Sequence, residues 1–374
     1  MTGSGMQNRE AGPRGNSRDG MVHWGAARSV AVAVAARSER RPSGSFDYAS
    51  ATQRAMGPLS DFTGIELASD PATERRIVVS DRAGWIDFNI EGFGVLMEPV
   101  LQRAARGASD ITRLFSGATL TAQMGFLLGF LSARVLGQYD TGPLLPKETG
   151  AQKVGEPGKV FFLDGNIASA ASRLRISEDG LRLWIVLHEM THALQFEGFP
   201  WLRDHLGRLM GDLLSPLSEK LGLSETVRRL TSNYRTGGRS IELLMTREQR
   251  ASFEKVQATM SVIEGYSDYV MDRVGRRTVP GYAEITRRLA ASRANRPALD
   301  TAIFRLTGLD AKLEQYRLGE SFCTAVASRQ GMEGLNRVWD GPENLPTLEE
   351  VRDPGLWMLR MERASEAHGP LSGT

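Results

Sequence analysis

The chain has 374 residues, of which 41% are hydrophobic and 24% charged, enough for one or two domains with a buried core. A net charge of only +2 gives no reason to expect a nucleic acid or a membrane as partner. Cys323 is the single cysteine, which excludes an intrachain disulfide and a cysteine-rich zinc site and fits a cytoplasmic protein.

The N-terminal segment differs in composition from the rest. Residues 1–20 are rich in Gly, Ser, Asn and Arg, so residues 1–45 are predicted to form a basic, largely disordered tail. Residues 46–374 are then expected to form a single domain. The apolar run 29–36 within the tail resembles a signal peptide, but its shortness and flanking arginines favour a short helix or strand.

Two apolar segments follow. Residues 86–106 and 120–136 are predicted to be helices, and polar and small residues in the second favour a buried helix over a membrane span. Its small side chains would let another helix approach closely; they are Gly125, Gly129, Ser132 and Ala133. Residues 141–158 contain three prolines and four glycines and are predicted to be a long connection. The apolar run Lys159–Leu163 is predicted to be a strand.

The next helix carries the most informative motif, His-Glu-Met-Thr-His from His188 to His192, or HExxH. Ser177 is the expected N-cap, and Gly198 and a following proline are expected to end the helix. Histidines four positions apart lie about 40° apart around a helix, so both can reach one metal ion. Glu189 stands beside the open coordination position, where a carboxylate can take a proton from metal-bound water.

A third protein ligand is needed, because catalytic zinc usually keeps three and one water. Six residues after the second histidine stands Gly198, so the extended three-histidine pattern is absent. Glu264, on a predicted helix over residues 247–274, is the better candidate, and His205 is the alternative. Asp268 follows Glu264 by one helical turn and would accept the N–H of a ligating histidine, fixing its tautomer.

Three further segments are predicted around these ligands. Residues 213–238 separate the two ligand-bearing helices and are interpreted either as a mobile lid or as a variable loop. Residues 311–330 are expected to be helical, and Thr347 with Glu350 forms a capping box that opens a short helix.

The chain resembles the gluzincin branch of the zincin metallopeptidases, and more closely the zincin-like metallopeptidase type 2 family. The resemblance spans roughly residues 75–365 and rests on segments 183–192, 195–196, 200–206, 264–268, 315–316, 319–320, 339, 345–347 and 354–357. It implies a mainly α (α+β) fold with a zincin-like catalytic core and a small sheet. Some members are associated with deazaflavin cofactor biosynthesis, which identifies no substrate. In zincins an edge strand beside the catalytic helix pairs with an extended substrate. By this resemblance Lys159–Leu163 could be that strand; the alternative is a core strand without substrate contact.

The expected activity is zinc-assisted hydrolysis of a peptide or amide substrate. His188, His192 and Glu264 would hold zinc, and Glu189 would act as general base. The candidates for stabilising the oxyanion are His205, Tyr266 and Tyr316. Two alternatives stay open: a narrow amidohydrolase acting on a small metabolite, and a non-catalytic scaffold stabilised by zinc. The presence of Glu189 argues against a scaffold, whereas a fourth protein ligand would argue for one.

Overall fold

The computed structural model describes residues 22–36, 40–42, 44–67, 76–105, 110–142, 158–214, 247–294 and 309–367. Within these ranges the chain is mainly helical with one small sheet, as predicted. The helices are α1 (Trp24–Ala35), α2 (Tyr48–Thr63), α3 (Arg82–Ala105), α4 (Asp110–Ser132), α5 (Asp164–Leu174), α6 (Glu178–Gly198), α7 (Trp201–Leu214), α8 (Arg247–Thr278), α9 (Tyr282–Ala294), α10 (Leu309–Asn336), α11 (Leu348–Arg352) and α12 (Pro354–Ala367). Two short 3₁₀ turns, Arg337–Trp339 and Pro342–Asn344, follow α10.

The sheet has three strands in the order β1 (Ile77–Val79), β3 (Lys159–Phe162), β2 (Gly137–Asp140). The central strand β3 pairs with β1 in parallel and with β2 antiparallel. The interpretation of Lys159–Leu163 as an edge strand is therefore wrong, and the core-strand alternative is correct. The cause is visible in its composition, because an uninterrupted apolar run is typical of a strand covered on both faces.

Helices α6 and α8 form the centre of the main hydrophobic core. Helix α6 begins at the predicted cap, where the Ser177 hydroxyl oxygen accepts a hydrogen bond of 3.1 Å from the Gly180 N–H. Helix α8 contacts α10 backbone to backbone, since a Cβ on Gly265 would overlap the backbone of Gly319. This close approach fixes the height of α8 in the core, and with it the position of Glu264, the residue immediately before Gly265.

Helix α1 lies inside the segment that was predicted to be a disordered tail. Its buried face consists of alanines, and Ala27 and Ala31 are fully covered by α4. A Cβ on Gly125 would lie 2.5 Å from the carbonyl oxygen of Ala27, and one on Gly129 would overlap that of Ala31. The expectation that small residues on α4 admit another helix is thus confirmed. The predicted tail ends earlier than residue 45, because α1 is part of this packing; residues 1–21 lie outside the described ranges.

The other predicted elements agree with the structure in position. The segments 86–106, 120–136 and 311–330 correspond to α3, α4 and α10, and α10 is interrupted at Gly331, where φ is 73°. The capping box at α11 is present, with both reciprocal hydrogen bonds formed. Residues 143–157 and 215–238 lie outside the described ranges. None of the helices in the described part of the chain is both long and apolar enough to cross a membrane.

Candidate metal centre

The two histidines of the HExxH motif lie side by side on α6. Their Nε2 atoms are 3.2 Å apart, and their rings stand nearly perpendicular, at 85°, with centroids 4.7 Å apart. The Trp184 ring, one turn earlier on α6, stacks on His188 at a centroid distance of 5.6 Å. Both Nε2 atoms therefore face one point beside the helix.

Glu264 reaches the same point from α8. Its Oε2 lies 3.8 Å from Nε2 of His192 and 4.0 Å from Nε2 of His188. Among the described residues, this is the one group of at least three His, Cys, Asp or Glu side chains whose ligand atoms lie within 4.8 Å of one another. The ligand atoms of a tetrahedral zinc site are separated by about 3.4 Å, given bonds of about 2.1 Å. The distances from Glu264 Oε2 to the two Nε2 atoms exceed this separation by about 0.5 Å. A movement of that size would bring the three donor atoms to the spacing of a zinc site.

The alternative third ligand, His205, is not a member of this group. It lies on α7, where its ring meets the edge of Trp201 at a centroid distance of 5.9 Å. The Trp201 indole N–H in turn donates to the carbonyl of Trp339, at 2.9 Å, and anchors the start of α7. Burial, followed by the charges of Arg208 and Lys255, lowers the pKa of His205.

Glu189 lies next to the three ligands and is 5% exposed. Burial and then the charge of Glu264 raise the pKa of Glu189 to about 8, and a hydrogen bond from the backbone of Tyr139 opposes this rise. A carboxyl group with its pKa near neutrality is suited to both accepting and releasing a proton. The role of Glu189 as general base stays a prediction.

Strand β2 lies against the Glu189 side chain and forms one wall of the site. It was not predicted from the sequence. Gly137 is in close contact with the Glu189 side chain, because a Cβ there would lie 2.7 Å from Oε1. Two residues on, the Tyr139 hydroxyl donates to Glu197 Oε1 at 2.8 Å, and Glu197 also forms an ion pair with Arg76. The sequence Gly-Gln-Tyr-Asp has no apolar alternation, so only its neighbour β3 reveals it as a strand.

The ring nitrogens that face away from the ligand group have their own partners. His192 Nδ1 lies 2.9 Å from Gln195 Oε1 and 3.3 Å from Ser267 Oγ. His188 Nδ1 lies 3.2 Å from Met271 Sδ. Sequence reasoning assigned the role of outer partner to Asp268 and missed Gln195, although its position three residues after His192 on the same helix could have indicated it.

Asp268 lies one turn beyond Glu264 on α8 and is half-buried. The charge of Asp268 acts on the Tyr282 hydroxyl. Burial, then the charges of Asp272 and Asp268, raise the pKa of Tyr282 to about 12. Asp268 also contributes, after burial, to the raised pKa of the Cys323 thiol. Its expected bond to a ligating histidine stays a prediction.

The two tyrosines proposed as oxyanion stabilisers have different outcomes. Tyr266 is fully buried, and its hydroxyl donates to Asn336 Oδ1 at 2.8 Å. Because it follows Glu264 by two residues, it points about 200° around α8 from that ligand. The expectation that Tyr266 faces the reacting group is therefore wrong. Tyr316 belongs to α10, but its side chain lies outside the described residues.

Comparisons with known proteins identify the family of the chain. A crystal structure from Chloroflexus aurantiacus, described as "a putative hydrolase with a novel fold", is similar at 34% sequence identity and a TM-score of 0.68. The similarity covers 91% of this chain and 99% of that chain. No curated protein matches the chain. The family model for zincin-like metallopeptidases matches residues 22–358, which includes α1 and confirms the resemblance seen in the sequence. The chain therefore belongs to the zincin-like metallopeptidase family.

Proposed function

We propose that the protein is a zinc-dependent hydrolase of the gluzincin type that cleaves peptide or amide bonds. This proposal rests on one observation: the ligand atoms of His188, His192 and Glu264 lie close together, beside the buried carboxyl group of Glu189. No fourth His, Cys, Asp or Glu from the described part of the chain joins the three. Three protein ligands with one open position are typical of catalytic zinc, whereas structural zinc has four.

Zinc bound by these three residues supplies Lewis-acid activation of water and of the substrate carbonyl. Glu189 takes a proton from the attacking water and passes it to the leaving amine. The backbone N–H of Tyr139 holds the Glu189 carboxyl group, so strand β2 helps to aim the base. Burial keeps bulk water away from Glu189 and raises its pKa.

The edge of β2 supports a peptide as substrate. The Leu163 N–H donates to the carbonyl of Leu136 at 3.0 Å, so that pair faces into the sheet. Backbone groups alternate in direction along an antiparallel strand, so those of Gly137 and Tyr139 face outward, toward Glu189. In the described part of the sheet no strand pairs with this side of β2. An extended peptide can add to such an edge by main-chain hydrogen bonds to the backbone groups that Glu189 does not occupy, next to the base.

The test combines metal analysis with a cleavage screen on purified wild-type protein and the Glu189→Gln variant. We expect one zinc per chain in both, and hydrolysis of peptides by the wild type that falls by at least about 100-fold in the variant. Wild-type protein without zinc would contradict the metal site. Cleavage of small amides but not of peptides would support the metabolite amidohydrolase instead. Zinc-loaded wild type that hydrolyses neither class would support the scaffold.

A further inference from the structure

Gln195 joins the two helices that carry the three candidate ligands. It follows His192 by three residues on α6, and its side chain is fully buried. Its amide nitrogen donates to the backbone carbonyl of Ile263 on α8 at 2.8 Å, and its amide oxygen lies 2.9 Å from His192 Nδ1. Both ends of one buried side chain are thus engaged across the α6–α8 interface.

The carbonyl of Ile263 determines which way the amide points. A carbonyl oxygen only accepts hydrogen bonds, so the atom 2.8 Å from it must be the amide nitrogen. The reverse orientation would bring two oxygen lone pairs together in a buried place, which is costly. The Gln195 oxygen is therefore fixed toward His192, where it also accepts a bond of 3.3 Å from the Ser267 hydroxyl.

The orientation of the amide in turn determines the tautomer of His192. An amide oxygen only accepts, so the imidazole atom facing it, Nδ1, must carry a hydrogen. In the neutral ring the other nitrogen, Nε2, then bears the lone pair, and Nε2 is the atom 3.8 Å from Glu264 Oε2. The lone pair is aimed at the ligand group before any metal binds.

The same side chain also bears on Glu264. Its partner carbonyl belongs to Ile263, the residue immediately before Glu264, on the turn of α8 that brings the carboxylate to the site. One hydrogen bond orients a histidine ligand, and the other sets the distance between α6 and α8 at the carboxylate ligand. Loss of the amide would therefore disturb two of the three donors.

We propose that Gln195 is a positioning residue that locks His192 in the Nδ1–H tautomer and holds Ile263 so that Glu264 stays within reach. This inference deepens the proposed metal site and rests on it for its effect on zinc. The tautomer itself is a property of the metal-free protein. A direct test therefore exists even if the proposed function fails.

The first measurement is the tautomer of His192 in metal-free protein labelled with ¹⁵N-histidine. The chain has five histidines, and the His192 signals are assigned by their loss in His192→Gln. We expect protonated Nδ1 and unprotonated Nε2 in the wild type, and a population of the Nε2–H form in Gln195→Met. The Nε2–H form in the wild type, or an unchanged tautomer in Gln195→Met, would overturn the proposal.

The second measurement is zinc affinity by chelator competition. Gln195→Met should weaken zinc by roughly 10–100-fold, the usual effect of losing an outer partner of a metal ligand. Gln257→Met is the matched control, because it makes the same exchange at another buried glutamine, on α8, whose side chain is not a hydrogen-bond partner of the candidate ligands. It should keep both the tautomer and the affinity. Equal losses in both variants would contradict a specific role for Gln195.

Gln195→Asn provides a second variant in case Gln195→Met does not fold. Asparagine keeps the amide but is shorter by one methylene, so it cannot reach both Ile263 and His192. We expect the same direction of change in tautomer and affinity, and wild-type values of both would overturn the proposal. Wild-type protein that binds no zinc but shows the Nδ1–H tautomer would reject the proposed function while supporting the inference about Gln195.

Discussion

The α carbon of Gly137 faces the carboxyl group of Glu189 so closely that a methyl group there would lie 2.7 Å from Oε1. It would also lie 2.7 Å from Cγ2 of Ile185, one turn earlier on α6. The missing side chain therefore lets β2 pack directly against α6. The position of the proposed base depends on a glycine in a neighbouring strand as well as on its own helix.

Gly137→Ala should separate zinc binding from turnover. The added methyl group must displace either Glu189 or β2, because the three atoms nearest to it belong to Glu189 and Ile185 and to none of the candidate ligands. A displacement of about 1 Å at a reacting group can cost up to about 100-fold in rate. We expect full zinc content, measured by metal analysis, together with a fall in kcat.

Gly92→Ala is the control for this substitution. Gly92 is exposed within α3, and a Cβ there has no neighbour within 4 Å. Alanine should stabilise that helix by about 0.5–1 kcal/mol and leave kcat unchanged. Wild-type turnover in Gly137→Ala would show that Glu189 does not need its present position.

Removal of Glu264 tests the third ligand. Zinc should be lost to substoichiometric content in His188→Ala and His192→Ala, and greatly weakened in Glu264→Ala, as measured by chelator competition. Glu254→Ala, an exposed change on the same helix, is the matched control and should bind zinc as the wild type does. Full zinc content in Glu264→Ala would move the third ligand to another residue.

Asp268→Asn tests whether the carboxylate one turn beyond Glu264 supports a ligating histidine. The substitution keeps the shape and removes the charge, so the fold should persist while zinc affinity falls by roughly 10–100-fold. That loss should be smaller than the loss in Glu264→Ala. Asp272→Asn lies one further turn along α8, where Asp272 pairs with Arg276 at 2.6 Å, and should leave zinc affinity unchanged. The same affinity in Asp268→Asn and the wild type would show that Asp268 has no part in the site.

The parts of the site that could be predicted from the sequence depend on local patterns. HExxH predicts two metal ligands and a base by helical spacing alone, and Ser177 marks where that helix begins. The prediction of Glu264 depended on a second helix and on knowing which of its residues face the core. The same helical spacing excludes Tyr266 from the site, because residues two positions apart on a helix point to nearly opposite sides.

The parts that could not be predicted depend on partners distant in sequence. Strand β2 has no strand pattern of its own and forms because β3 offers it hydrogen bonds. For the region of helix α1 the sequence predicted only a short helix or strand over residues 29–36 inside a disordered tail, since alanines give little hydrophobic signal. The burial of α1 follows from Gly125 and Gly129 on α4, about a hundred residues later, which only the packed structure brings together.

His205 should make the stability of the protein depend on pH. The folded state lowers its pKa below the ordinary value of 6.5, through burial and the charges of Arg208 and Lys255. As the pH falls through about 6.5, the unfolded chain therefore takes up a proton that the folded chain resists, and stability decreases. His205→Gln removes this titration. Between about pH 7.5 and about pH 5.5, denaturant unfolding should show a larger loss of stability in the wild type than in the variant. A larger loss in the variant would give the opposite sign and contradict this account.

Gly129→Ala should show that α1 belongs to the folded domain. The new Cβ would overlap the carbonyl oxygen of Ala31, so α1 and α4 must move apart or strain, at a cost of about 1–3 kcal/mol in the free energy of unfolding. Ala31→Leu introduces the same conflict from α1, because Ala31 is fully buried. Gly92→Ala is the control, since Gly92 is exposed in the helix α3 and a Cβ there has no neighbour within 4 Å. Denaturant unfolding of the four proteins, including the wild type, decides the matter: if neither Gly129→Ala nor Ala31→Leu lowers stability relative to Gly92→Ala, α1 is not packed as described.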